Sequence, residues 1–159
     1  EQQLLGFNYR MSDIHATLGI SQLKKIKTFI KQRNKIAKIY DKELNHPLIV
    51  LPEKNKNYIS THHLYVIKFK LDKIKKSYDY IFQKFQSKKI GVNLHYLPVH
   101  LHPLYKKMGF KNGDFPISEE YARKSFSIPL YYTMKKKDQF KVINCINKIL
   151  KNFKSQIKA

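Results

Sequence analysis

The chain has no tryptophan, one cysteine and five glycines among 159 residues. One cysteine, Cys145, excludes an internal disulfide framework. It sits among Val142, Ile143 and Ile146 on a helical pattern, which reads as a small buried side chain in a reducing, cytoplasmic setting. No run of about 18 apolar residues exists, so no transmembrane helix and no membrane partner are expected. The first residues show no charged segment followed by an apolar core, so no signal peptide is expected. Every glycine is isolated, which excludes a Gly-rich phosphate loop, and no nucleophile elbow is present.

Acidic side chains are also scarce, 11 against 32 basic ones, and the net charge is +21. Such a surplus raises nucleic acid as a partner. Arginine, however, is nearly missing: only Arg10, Arg33 and Arg123 are present. Readers of nucleic acid favour the planar guanidinium fork over lysine. Lys, Asn, Ile, Tyr and Phe make up about half the chain, the residues of A/T-rich codons. A solvated lysine surface is therefore the favoured reading, and nucleic acid is unlikely as a partner. A stand-alone basic module for nucleic acid or an acidic surface stays as an alternative.

What is present is patterned. From Ser12 to about residue 45 the spacing predicts one long helix, with Ser12 as N-cap and Asp13 in the first turn. Ile14, Leu18, Leu23, Ile26, Ile30, Ala37, Tyr40 and Leu44 form its apolar stripe, and Pro47 ends it. A close helix contact would explain Gly19, which costs a helix about 1 kcal/mol relative to alanine. Residues 46–61 are polar and irregular. Tyr65, Ile67, Phe69 and Leu71 alternate as a strand behind His62 and His63, of which one faces solvent and one the sheet. Tyr78, Ile81, Phe82 and Phe85 space a helix, and Val92, Leu94 and Tyr96 a second strand. A short helix over 104–108 stops at Gly109. Ser118 is expected to cap a helix with Glu119 and Glu120 in its first turn. Phe140, Ile143, Ile146, Leu150 and Phe153 line a final helix. The order predicts an α+β fold with a small sheet covered by helices.

Two segments carry chemistry. His95, Tyr96, His100 and His102 crowd a proline-fixed stretch. No cysteine or nearby carboxylate supports a metal there, so a loop lining a polar ligand is the favoured reading and no metal is expected. Asn8, Tyr9 and Arg10 stand just before a helix N-terminus. An amide, a guanidinium and helix N–H groups suit an anion, phosphate above all, while an ordinary surface cation is the plain alternative. The glutamates Glu119 and Glu120 read as helix-capping charge.

The stretch Gly6-Phe7-Asn8-Tyr9-Arg10-Met11-Ser12-Asp13-Ile14-His15-Ala16-Thr17-Leu18-Gly19, followed by Ser21-Gln22-Leu23, resembles the pyridoxal-phosphate-dependent nucleotide-sugar aminotransferases of the DegT/DnrJ/EryC1 type. Gly91 to His100, Pro103, Tyr105, Gly109-Phe110, Asp114-Phe115-Pro116 and Ser127 to Leu130 are similar to the same family's C-terminal region. The resemblance implies the C-terminal small domain of a fold-type I aminotransferase. A loop and long connecting helix would span 1–45, making dimer and cofactor-domain contacts, and a small α+β domain would span 46–159.

The resemblance further implies a homodimer with pyridoxal 5'-phosphate as cofactor. The partners would be glutamate as amino donor and a UDP-4-keto-6-deoxy sugar as acceptor. Asn8 would reach the cofactor phosphate of the neighbouring subunit, with Arg10 in the same motif. His95, Tyr96 and His100 would line the nucleotide-sugar pocket. His15 stands where many relatives carry glutamine. The family's cofactor-bearing lysine, the aspartate at the pyridine nitrogen and the stacking aromatic ring precede this first motif. No catalytic residue is therefore expected in these 159 residues, and the chain alone is expected to be inactive. An inert remnant with an exposed apolar surface is the other alternative.

Overall fold

Ser12 starts the first helix: its backbone is extended and its hydroxyl accepts from the His15 amide at 3.4 Å. The computed structural model describes residues 3–7, 9–55, 57–94 and 96–153. The expected long helix divides into α1 (Asp13–Leu23) and α2 (Ile26–Glu43). At the break the Lys25 amide donates to the Gln22 carbonyl at 3.0 Å, the tighter pitch of a 3-10 turn. The apolar spacing read from the sequence hides this division, and the two halves face different surroundings. α1 buries none of its residues, whereas α2 buries Ile36, Ala37 and Tyr40. The close contact expected at Gly19 is not made within the chain, since nothing lies within 4 Å of a Cβ placed there.

The sheet has three antiparallel strands in the order β1-β2-β3, with β1 at Ile49–Val50, β2 at Tyr65–Phe69 and β3 at Ser125–Ile128. Tyr65 pairs with Ile128 and Ile49 with Phe69. The alternation of β2 places Tyr65, Ile67 and Phe69 on the core face. The second expected strand is a correction. Among the described residues from Val92 to Tyr96 there is only an isolated bridge, Asn93 to Ser127. The partner strand is β3, which alternates serine with Phe126 and Ile128 and is buried on both faces.

Helices cover the core face. The short α3 (Leu71–Ile74) leads to α4 (Tyr78–Ser87), which is capped by Ser77. α5 (Pro103–Lys107) and α6 (Pro116–Lys124) follow, and α7 (Lys136–Lys151) closes the described chain. Tyr40 and Leu44 of α2 and its cap, Ile81 and Phe85 of α4, and Ile143 and Ile146 of α7 join the strand residues in one buried cluster. Phe126 lies at its centre, stacked on Tyr78 at 4.2 Å and edge-on to Phe69 at 5.5 Å. Each such side chain contributes about 1.5–3 kcal/mol by leaving water. Cys145 is buried on α7, and burial pushes its thiol above the usual range.

Candidate functional site

After the Asn93 bridge the chain passes buried Pro98 and enters a 3-10 turn, Val99–Leu101. Pro103 then starts α5, where its missing N–H costs nothing. This path turns His100 inward, so that only 7% of it is exposed. Tyr96 stays at the surface, 71% exposed. His95 and Asn8, the other expected pocket and phosphate residues, lie outside the described residues.

His100 meets a partner that its own segment does not supply. Its Nε2 is 2.9 Å from Oε1 of Glu119, which is itself 3% exposed. The same oxygen accepts from the Gly113 amide at 2.8 Å and the Phe115 amide at 3.4 Å. Oε2 lies 3.9 Å from Nη1 of Arg123, one turn along α6. These donors, the His100 contact first, hold the Glu119 carboxyl below its usual value. The Phe115 ring packs against the imidazole at 4.8 Å. Gly109 and Gly113 make this path possible, with φ of +102° and +99° that side chains rarely adopt.

The helix-capping reading of Glu119 is thus incomplete, and that of Ser118 is corrected. α6 begins at Pro116, with Phe115 in the cap position, so Ser118 lies inside the helix. Glu119 does satisfy amides before α6, but it also holds an imidazole 19 residues earlier. The only sequence signal was a glutamate in the first turn behind two glycine turns. Nothing in the spacing pointed to His100.

At the other end, Arg10 is exposed three residues before α1. Ser12 Oγ also lies 2.9 Å from His15 Nδ1, which gives His15 a capping contact. Met11, Ile14, Leu18 and Leu23 of this region are all more than half exposed.

Between α2 and residues 51–62 lies an open groove of about 790 Å³, lined by Ile30, Ala37 and Ile59 and by Lys27, Lys31 and Lys38 among others. His62 borders it with φ +46°. His63 is exposed, and the His62 ring sits 6.1 Å from that of Tyr65. The carbonyls of both histidines accept from Arg33 Nη1, at 2.9 and 3.1 Å. Among the described residues no group of three His, Cys, Asp or Glu side chains is arranged to hold a metal ion, and no lysine is buried. No helix among them is long and apolar enough to cross a membrane.

The DegT/DnrJ/EryC1/StrS aminotransferase family model matches residues 1–147. An uncharacterized protein of Methanocaldococcus jannaschii is 37% identical over 147 residues, covering 91% of this chain and 38% of that protein. The UDP-4-amino-4,6-dideoxy-N-acetyl-beta-L-altrosamine transaminase of Campylobacter jejuni is 33% identical over 157 residues, covering 94% of this chain and 40% of that enzyme. The solved structure of Helicobacter pylori PseC, an aminotransferase of pseudaminic acid biosynthesis, shares the fold with a TM-score of 0.82. It is 24% identical, covering 96% of this chain and 41% of that one. The chain therefore spans about two fifths of the length of the curated relatives it matches. Its helices and three-stranded sheet are those of an aminotransferase fragment, and the chain belongs to the DegT/DnrJ/EryC1/StrS aminotransferase family.

Proposed function

We propose that the chain is the C-terminal portion of an aminotransferase that moves an amino group from glutamate to the 4-keto carbon of a UDP-4-keto-6-deoxy sugar. The observation that carries this reading is the 33% identity to the Campylobacter jejuni transaminase across 94% of the chain. Pyridoxal phosphate, when bound, supplies an electron sink at the amino-bearing carbon. This chain would supply binding and orientation. Asn8 and Arg10 would hold the cofactor phosphate, helped by the positive end of α1. Tyr96, His95 and His100 would border the nucleotide sugar. The cofactor-bearing lysine would lie in another part of the enzyme.

The exposed apolar residues along α1 support a role for 1–45 as the contact to the cofactor domain and to a second subunit. The small domain would then begin near residue 46, although the C-terminal half of α2 shares its core.

The test is a fusion. The part of the Campylobacter jejuni transaminase that precedes its matched region is joined to this chain. Glutamate-dependent amination of a UDP-4-keto-6-deoxy sugar is expected. Retention of pyridoxal phosphate should fall when Asn8 is replaced by alanine. A folded, cofactor-loaded fusion without amination would sink the reading and favour an inert remnant.

A further inference from the structure

Glu119 stands apart from the rest of the acidic side chains, because it is the buried carboxylate among the described residues. A carboxylate out of water is costly unless its oxygens are matched by donors. Here one oxygen is matched by three donors from two separate segments: the imidazole of the 99–101 turn, and the Gly113 and Phe115 amides. The carboxylate therefore joins two loops that share no ladder with each other.

It also dictates the state of the imidazole. An ionised carboxylate only accepts hydrogen bonds, so the proton between Glu119 and His100 belongs to Nε2. In the neutral ring this leaves Nδ1 as an acceptor.

We propose that Glu119 is a positioning residue of the candidate nucleotide-sugar pocket: its carboxylate, fixed by the Gly113 and Phe115 amides, holds His100 as the Nε2–H tautomer and sets the 96–102 path that presents Tyr96. The link to a nucleotide sugar rests on the function proposed above. The hold on His100 does not.

The experiment uses the 159-residue chain. Long-range nitrogen–proton spectra of labelled histidine read the His100 tautomer, and amide exchange reads Gly113. In the neutral ring the wild-type chain is expected to show Nε2–H rather than Nδ1–H, with a protected Gly113 amide. Glu119→Gln keeps an acceptor oxygen at the same reach and should keep both signatures. Glu119→Asp keeps the charge but withdraws it by one methylene. It should give both tautomers and faster exchange at Gly113, or fail to fold while Glu119→Gln folds. A merely structural charge would reverse that order, with Asp tolerated and Gln not. That reversal overturns the proposal, as does a wild-type Nδ1–H tautomer or a folded Asp variant with wild-type spectra. Uridine diphosphate then serves as the probe for the pocket. Its affinity is expected to drop about tenfold in Glu119→Asp, a change of about 1.4 kcal/mol. Equal affinity in both chains overturns the positioning role. A wild-type chain whose Tyr96 and His100 signals ignore the nucleotide overturns the pocket reading and leaves the tautomer result standing.

Discussion

The rings of Tyr40 on α2 and Tyr65 on β2 meet with centroids 5.1 Å apart, and their hydroxyls leave the contact toward different partners. Tyr40 donates to the Pro129 carbonyl at 2.7 Å, and Tyr65 donates to Asp41 at 2.6 Å. The pair thus ties the long helix to both the central strand and the end of β3. Burial pushes both phenols well above their ordinary value, and Asp41 adds to the effect at Tyr65.

That shift has a sign. The folded chain keeps both phenols neutral, while the unfolded chain releases their protons near pH 10. The stability they contribute is present below about pH 10 and is lost as pH rises through their folded values. Urea melts between about pH 8 and pH 11 should show a steep alkaline loss that flattens in Tyr40→Phe. At neutral pH the same change should cost about 1–2 kcal/mol, because the Pro129 carbonyl loses its donor. Equal alkaline slopes for the two proteins would refute this account.

Arg33 is expected to resist conservative exchange. Its Nη1 serves the carbonyls of His62, His63 and Leu130, three groups from two distant segments. Arg33→Lys keeps the charge but, one bond shorter, draws the donor back from these carbonyls, and should cost about 1.5–3 kcal/mol in a denaturant melt. A lysine variant as stable as the parent would show that these contacts carry no net energy.

Phe126→Ala should be among the most damaging single changes. The ring touches Tyr78, Phe69 and Phe85 and is fully buried. A loss of about 3–5 kcal/mol is expected from thermal or urea unfolding. Ile117→Ala is the control, because that side chain is 84% exposed. It should stay within about 0.5 kcal/mol of the parent.

The exposed Ile14 and Leu18, one turn apart on α1, predict self-association. Ile14→Lys combined with Leu18→Glu should lower the average mass in sedimentation without lowering the melting temperature. Both positions are more than half exposed in the single chain, at 81% and 59%. An unchanged mass would remove this pair as an adhesive surface, and a large drop in melting temperature would mean that these side chains are packed.

The elements legible in the sequence are those with long periodic patterns. β2, α4 and α7 announce themselves because their apolar residues recur at the period of the structure. β1 escapes because it is two residues long, and β3 because its serines are as buried as Phe126 and Ile128. The break between α1 and α2 escapes because periodicity reports apolar spacing and says nothing about what covers it. At the site, the His95 to His100 cluster is visible as composition. Its partner Glu119 is not, because a contact 19 residues away between a 3-10 turn and α6 leaves no periodic trace. Arg33 is hidden for the same reason: its acceptors are backbone carbonyls, which every residue has.

The division at Lys24 and Lys25 has a thermodynamic meaning for α1. Eleven residues are fewer than an isolated helix needs to be stable in water, for which about 12–15 is marginal. α1 buries no residue in this chain, so packing within the chain adds little to hold it. Its Ser12 cap supplies about 1 kcal/mol, and the rest of its ordering free energy must come from whatever covers its exposed apolar residues. The first helix is thus a reporter: slow amide exchange in residues 13–23 is the signature of a docked partner, and fast exchange there beside a protected β2 is that of the chain alone.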